Sequence, residues 1–267
     1  MNFLQNFAIG QYVPRDSFVH RLDPRSKLLF LLFFTLLVFW ANNWFSYGLL
    51  LCFLFMVTAA SRIPGVYLLR GLKPVWFMLV ITVILHLLIT KGGAVYVQWG
   101  WFSIEQAGVQ QAIYMAFRLG ALVTMGALLT LTTTPMDLTD GLERLLAPLK
   151  RFNVPVHELA LMLSIAMRFI PTLLEETDKI IKAQKARGVD FETGPLIQRA
   201  KHMIPIVIPL FVGAFRRAEE LALAMEARGY RGGEGRTRLR QLHLSWRDTL
   251  LAGIAILLGV LMGWWRE

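Results

Sequence analysis

The sequence predicts an all-α integral membrane protein, with about five transmembrane helices and a charged helical region that is cytoplasmic or interfacial. Three observations lead there. Of 267 residues, 55% are hydrophobic and 17% charged, and the mean hydropathy of +0.51 is too apolar for a soluble domain of this length. The charges are segregated: residues 28–61, 74–90, 119–136 and 249–265 contain no Asp, Glu, Lys or Arg. Conversely, residues 137–247 carry 18 of the 28 Lys and Arg side chains, together with 13 acidic ones. A spanning helix needs roughly 20 apolar residues to cross about 30 Å of hydrocarbon, so the first charge-free stretch is long enough for two crossings and each of the others suits one.

The N-terminal membrane domain, residues 1–136, is expected to hold four spans at about 28–44, 45–61, 74–90 and 115–134. Leu22-Asp23-Pro24-Arg25 reads as the first helix start, with Asp23 accepting from orphan backbone N–H groups and Pro24 at the first helical position. Asn42-Asn43-Trp44 supplies the turn to the second span. Arg21, Arg25 and Lys27 precede an apolar run, but no small-residue cleavage site follows, and the N-terminus is expected to remain in the mature chain. Arg15, Arg21, Arg25 and Lys27 before the first span, and Arg62, Arg70 and Lys73 after the second, place the N-terminus and the 61–74 loop in the cytoplasm. The 42–45 turn and most of the 91–112 loop are then outside, and a last span at 248–267 takes the C-terminus outside.

The charged region, 137–247, opens on Thr134-Pro135-Met136-Asp137, which resembles a capping box with Asp in place of Glu. Leu138, Leu142, Leu145, Leu146 and Leu149 recur at helical spacing, so this helix either lies along the bilayer surface or packs on the rest of the protein. Two long helices follow, at about 156–187 and 195–228. Each begins apolar and ends charged, and each contains proline, Pro171 in one and Pro205 and Pro209 in the other, where bends are expected. Each also ends in Ala-x-x-Ala-Arg-Gly: Ala183, Ala186, Arg187 and Gly188 in the first, Ala224, Ala227, Arg228 and Gly229 in the second.

Local chemistry accounts for part of this repeat. Glycine just past a helix C-terminus takes the left-handed conformation, and an arginine there lies favourably against the dipole. Ala, Arg and Gly are common near helix ends for those reasons alone. Two copies on two similarly built helices point further, because alanines three apart share one face that another backbone can approach closely. Arg187 and Arg228 would then project five rigid donors each from compact docking knobs.

GQYVPRDSFVHRLDPRSKLL, TTTPMDLTDGLERLLAPLKRF, MRFIPTLLEETDKIIKAQKARG and AMEARGYRGG, in this order over nearly the whole chain, resemble the transmembrane T component of energy-coupling factor transporters, a branch of the ABC importers that takes up vitamins and transition-metal ions. The resemblance implies a coupling scaffold in a prokaryotic cell membrane. The two Ala-Arg-Gly helices would seat on two ABC ATPase subunits, Arg187 and Arg228 as anchors, Ala183, Ala186, Ala224 and Ala227 permitting close approach, and Gly188 and Gly229 ending the helices. Another part of the chain would hold a membrane-embedded, substrate-binding S component, which recognises the cargo and is reoriented by ATP-driven helix movement. The flanking charges differ, Glu175-Glu176-Thr177-Asp178 against Arg216-Arg217-Ala218-Glu219-Glu220. They suit two paralogous ATPases, or are neutral toward a homodimer.

Absences frame the alternatives. The chain has no G-x-x-x-x-G-K-[ST] loop, so ATP hydrolysis is expected in partner subunits and not here. The lone Cys52 allows no intramolecular disulfide, and none of the five histidines has an i, i+4 partner for a helical metal pair, so no cofactor or metal is expected. His86 lies in a predicted span, where it either serves structure or marks a transport path; Arg118 and Arg168 read as interfacial or structural. The net charge of +10 is explained by orientation and anionic lipid headgroups, and nucleic acid is not an expected partner. The alternative function is a self-contained secondary transporter or channel, with the segments around Pro171, Pro205 and Pro209 lining a path.

Overall fold

In the computed structural model, the described residues are 12–99, 102–191, 195–232 and 243–265. They form α1 (Pro24–Trp40), α2 (Trp44–Ser61), α3 (Gly65–Ile89), an antiparallel hairpin of β1 (Val95–Trp99) and β2 (Phe102–Glu105), α4 (Gln106–Thr132), α5 (Pro135–Leu146), a 3₁₀ turn (Ala147–Phe152), α6 (Val156–Ala186), α7 (Leu196–Ala227) and α8 (Trp246–Trp264). The all-α membrane class expected from composition is what the chain adopts. Among the described residues, five helices, α2, α3, α4, α6 and α8, are long and apolar enough to cross a membrane. That set differs from the five expected spans by including α6 in place of α1. At 17 residues α1 is about 25 Å long at ~1.5 Å per residue, because Ala41–Asn43 break the apolar run sooner than residue 44. The helices α3 and α4 begin well before residues 74 and 115. Arg70 and Lys73 end the apolar stretch but not the helix, and Pro74 sits inside α3.

The described residues divide into two compact units, one within 10–144 and 241–267, the other within 145–240. The first unit has its core where α1, α2, α4 and α8 meet. Phe34, Leu50 and Leu128 are fully buried there, and Phe30, Phe34 and Phe53 form an aromatic cluster with centroids 5.3–6.2 Å apart. The outlying α3 packs on α4 and leaves Trp76, Phe77 and Met78 exposed, as a lipid-facing helix does. Close approach of α3 to α4 depends on Gly108, where a Cβ would stand 2.8 Å from the Thr90 carbonyl oxygen.

Polar groups tie this unit together at one end. Asp23 Oδ1 accepts from the Arg25 N–H at 2.9 Å, the cap read in the sequence. Lys27, buried, donates through Nζ to the Thr132 carbonyl and the Thr133 hydroxyl, both at 3.0 Å. Ahead of α1, His20 Nε2 lies 3.0 Å from the Val13 carbonyl and must donate to it, so Nδ1 accepts from the Ser17 hydroxyl at 2.7 Å; burial holds this imidazole below its ordinary pKa. The Asp137 N–H donates to Thr134 Oγ1 at 3.2 Å while the Thr134 hydroxyl donates to Asp137 Oδ2 at 2.8 Å, opening α5. One side of α5 packs on the start of α1, where Thr139 and Gly141 are buried and a Cβ on Gly141 would stand 3.1 Å from Pro24 Cβ, while Leu142 and Leu149 of the leucine series stay exposed.

Arg118 is structural. Its Nη2 donates to Tyr47 Oη at 3.2 Å and the Ala41 carbonyl at 3.4 Å, and the guanidinium lies 5.3 Å over Phe39, clamping the α1–α2 turn to α4. His86 Nδ1 is 3.3 Å from the Thr90 hydroxyl one turn on, and Arg168 is exposed.

Candidate docking site at the helix tips

The second unit is built on α6 and α7. Both run as continuous helix through Pro171, Pro205 and Pro209. Both end the same way. Arg187 and Arg228 occupy the C-cap with nearly identical backbone angles, φ −84°, ψ 5° and φ −85°, ψ 7°. Gly188 and Gly229 follow in the left-handed region, at φ +86° and +72°. In α6 the Gly188 N–H donates to the Lys185 carbonyl at 3.0 Å and the Val189 N–H to the Gln184 carbonyl at 3.1 Å; in α7 the Gly229 N–H donates to Glu226 at 2.8 Å and the Tyr230 N–H to Met225 at 3.0 Å. Each is a complete Schellman motif, which satisfies the last carbonyls and turns the chain away from the tip.

The capping exposes what it orients. Ala183, Ala186, Arg187, Gly188, Ala224, Ala227, Arg228 and Gly229 are all exposed. Neither the Arg187 nor the Arg228 guanidinium has a hydrogen-bond or ion-pair partner among the described residues, so each tip offers a small-residue face beside a fully available fork of donors. The structure groups four site residues at each tip, and no hydrogen bond or ion pair joins one tip to the other among the described residues. Because no atom lies within 4 Å of a Cβ built on either glycine, substitution acts through the backbone alone. Gly188→Ala and Gly229→Ala are each expected to cost about 1–2 kcal/mol locally, read as faster amide exchange at Val189 and Tyr230. Unchanged exchange would show that the left-handed residue does not secure the cap.

The flanking charges form ion pairs within and between the two helices. Asp178 pairs with Lys182 and Arg216 with Glu220 along their own helices, at 2.5 and 3.1 Å. Glu176 and Arg217 pair with each other across the two helices, Nη2 to Oε2 2.5 Å. Reading each helix separately hides this pair, since it exists only where the helices pack.

The chain is thus a multi-pass helical membrane protein with two matched tips, each exposing an arginine that has no partner among the described residues. The family described as cobalt transport protein, CbiQ, matches residues 15–239. Over 263 residues the chain is 61% identical to the energy-coupling factor transporter transmembrane protein EcfT of Brevibacillus brevis, covering 98% of this chain and 99% of that protein. It is 51% identical over 259 residues to the protein of the same name from Bacillus subtilis, covering 97% and 98%, and 48% identical over 265 residues to that of Listeria innocua, covering 99% and 100%. The chain belongs to this family of energy-coupling factor transporter transmembrane proteins.

Proposed function

We propose that this chain is the coupling scaffold of an ATP-driven importer of vitamins or other micronutrients. The α6 and α7 tips dock two ABC ATPase subunits, and an S component in the membrane carries the cargo. The observation that supports this most is the pair of identical Schellman-capped tips, each exposing two alanines and an unpartnered arginine. A docked guanidinium would meet an acidic or carbonyl-lined groove, and a stiff helix would transmit the displacement that a loop absorbs. In the orientation the charges favour, α1–α4 make four crossings and α8 the fifth, with the N-terminus cytoplasmic and the C-terminus outside. Although α6 is apolar enough to span, its second half carries Glu175, Glu176, Asp178, Lys179, Lys182 and Lys185, and this reading keeps it on the cytoplasmic side. Reconstitution tests it: the chain is expected to copurify with ATPase and S subunits and to be inactive alone. Gradient-driven uptake by the isolated chain in liposomes would replace this reading with the self-contained transporter.

A further inference from the structure

The ion pair between Glu176 and Arg217 stands at matching places on the two helices. Glu176 precedes Arg187 by 11 residues, and Arg217 precedes Arg228 by 11. Eleven residues are about three helical turns and about 16.5 Å of rise, so each partner sits at the base of an arm of equal length. Each also projects from nearly the same face of its helix as the arginine at its tip.

Three details mark this pair as the joint of the two arms. Both side chains are more than two-thirds shielded, at 28% exposure for Glu176 and 30% for Arg217, unlike the exposed pairs along each helix. Gly213 makes room for the carboxylate: a Cβ there would stand 3.1 Å from Glu176 Oε1. Beside the pair, the helices do not close on one another. An apolar crevice of about 460 Å³ opens between Ile165, Phe169 and Leu173 of α6 and Ala218, Leu221 and Met225 of α7. Arg217 also lines this crevice, so the charge contact borders the gap between the apolar surfaces.

The pair is a poor stabiliser for its burial. It is a single charge contact without hydrogen-bond geometry, and among the described residues both Glu176 Oε2 and Arg217 Nη1 are buried with no hydrogen-bond partner, a combination in which desolvation offsets much of the Coulomb gain. Its contribution is position.

We propose that Glu176 and Arg217 are positioning residues that fix the crossing of α6 and α7 and so the separation of the two docking tips. This rests on the docking function proposed above for those tips. Breaking the pair leaves each tip intact, so partners still bind, but the separation of the tips is no longer single-valued and movement at one arm is transmitted poorly to the other.

Spin labels at exposed positions near the tips, Lys185→Cys and Glu226→Cys with Cys52→Ser, report tip separation in the full chain in nanodiscs without ATPases. The parent is expected to give one narrow distance distribution. Glu176→Ala is expected to broaden it and, in the complete transporter, to lower uptake per ATP hydrolysed by about fivefold while ATPase copurification persists. The charge swap Glu176→Arg with Arg217→Glu is expected to restore both. Gly213→Ala, which keeps both charges but crowds the carboxylate, is expected to shift the distance. Unchanged distributions in Glu176→Ala and Gly213→Ala, or a swap that restores neither readout, would overturn the proposal. Failure of the unsubstituted chain to copurify ATPases would instead sink the docking function, and leaves the distance measurement standing.

Discussion

Reversing both tip charges, Arg187→Glu with Arg228→Glu, is expected to leave the chain folded and inserted while removing ATPase copurification and ATP-dependent uptake. The asymmetry comes from where the side chains stand. Both are exposed and lack a partner among the described residues, so reversing each charge against the helix dipole changes stability by about 1 kcal/mol or less. In a docked complex each guanidinium is desolvated against the partner, and truncating such a charge costs about 2–5 kcal/mol. If the tips act as separate docking sites with additive effects, the pair of substitutions weakens attachment by about a thousandfold or more. Arg187→Lys with Arg228→Lys keeps the charge and loses the fork, and is expected to fall between the parent and the reversal. Quantifying ATPase subunits that copurify at fixed membrane expression gives the first readout, and uptake by reconstituted transporter the second. Normal assembly and uptake in the double reversal would show that the tips do not carry the docking.

The tips were legible in the sequence because their chemistry is local. A Schellman cap needs only a glycine at the right position after a helical run, and both motifs supply one. The Asp23 cap of α1 and the Thr134–Asp137 opening of α5 were readable for the same reason. What the sequence concealed depends on packing. The early starts of α3 and α4 follow from helix continuing beyond the charge-free runs, which a hydropathy pattern does not mark. The β1–β2 hairpin lies in a stretch read only as an external loop. Glu176 and Arg217 looked like charges offered to partners until the α6–α7 contact turned them toward each other. The equal spacing of 11 residues was visible throughout, yet it acquires meaning only once the two helices are known to meet there. In the membrane unit, likewise, Arg118 became a clamp on the α1–α2 turn only when α4 was placed beside Ala41 and Tyr47.

Asp248→Ala is expected to destabilise the membrane unit by about 2–4 kcal/mol, because one buried and one half-buried backbone N–H lose their acceptor at once. Asp248 is 5% exposed. Its Oδ1 accepts from the Asp23 N–H at 2.9 Å, across 225 residues of sequence, and its Oδ2 accepts from the Ser245 N–H at 2.7 Å. Ser245 returns the bond to the Asp248 backbone, completing a capping box. One carboxylate therefore caps α8 and holds the α8 start against the α1 start, and it also acts electrostatically on the buried Lys27. Removing it strands the Asp23 N–H away from water and leaves Lys27 with less compensating charge. The expected drop in thermal midpoint in detergent is about 5–15 °C. Asp248→Asn separates the two roles: the amide keeps one acceptor but turns a donor toward the other N–H, and its loss should approach that of alanine. Ser245→Ala, which removes only the hydroxyl half of the box, should cost about 1 kcal/mol. If Asp248→Ala melts with the parent, this carboxylate does not hold α8 in the unit, and the apolar packing of α8 through Leu251, Ile254, Leu258 and Met262, with the Asn43–Trp265 hydrogen bond, does so instead.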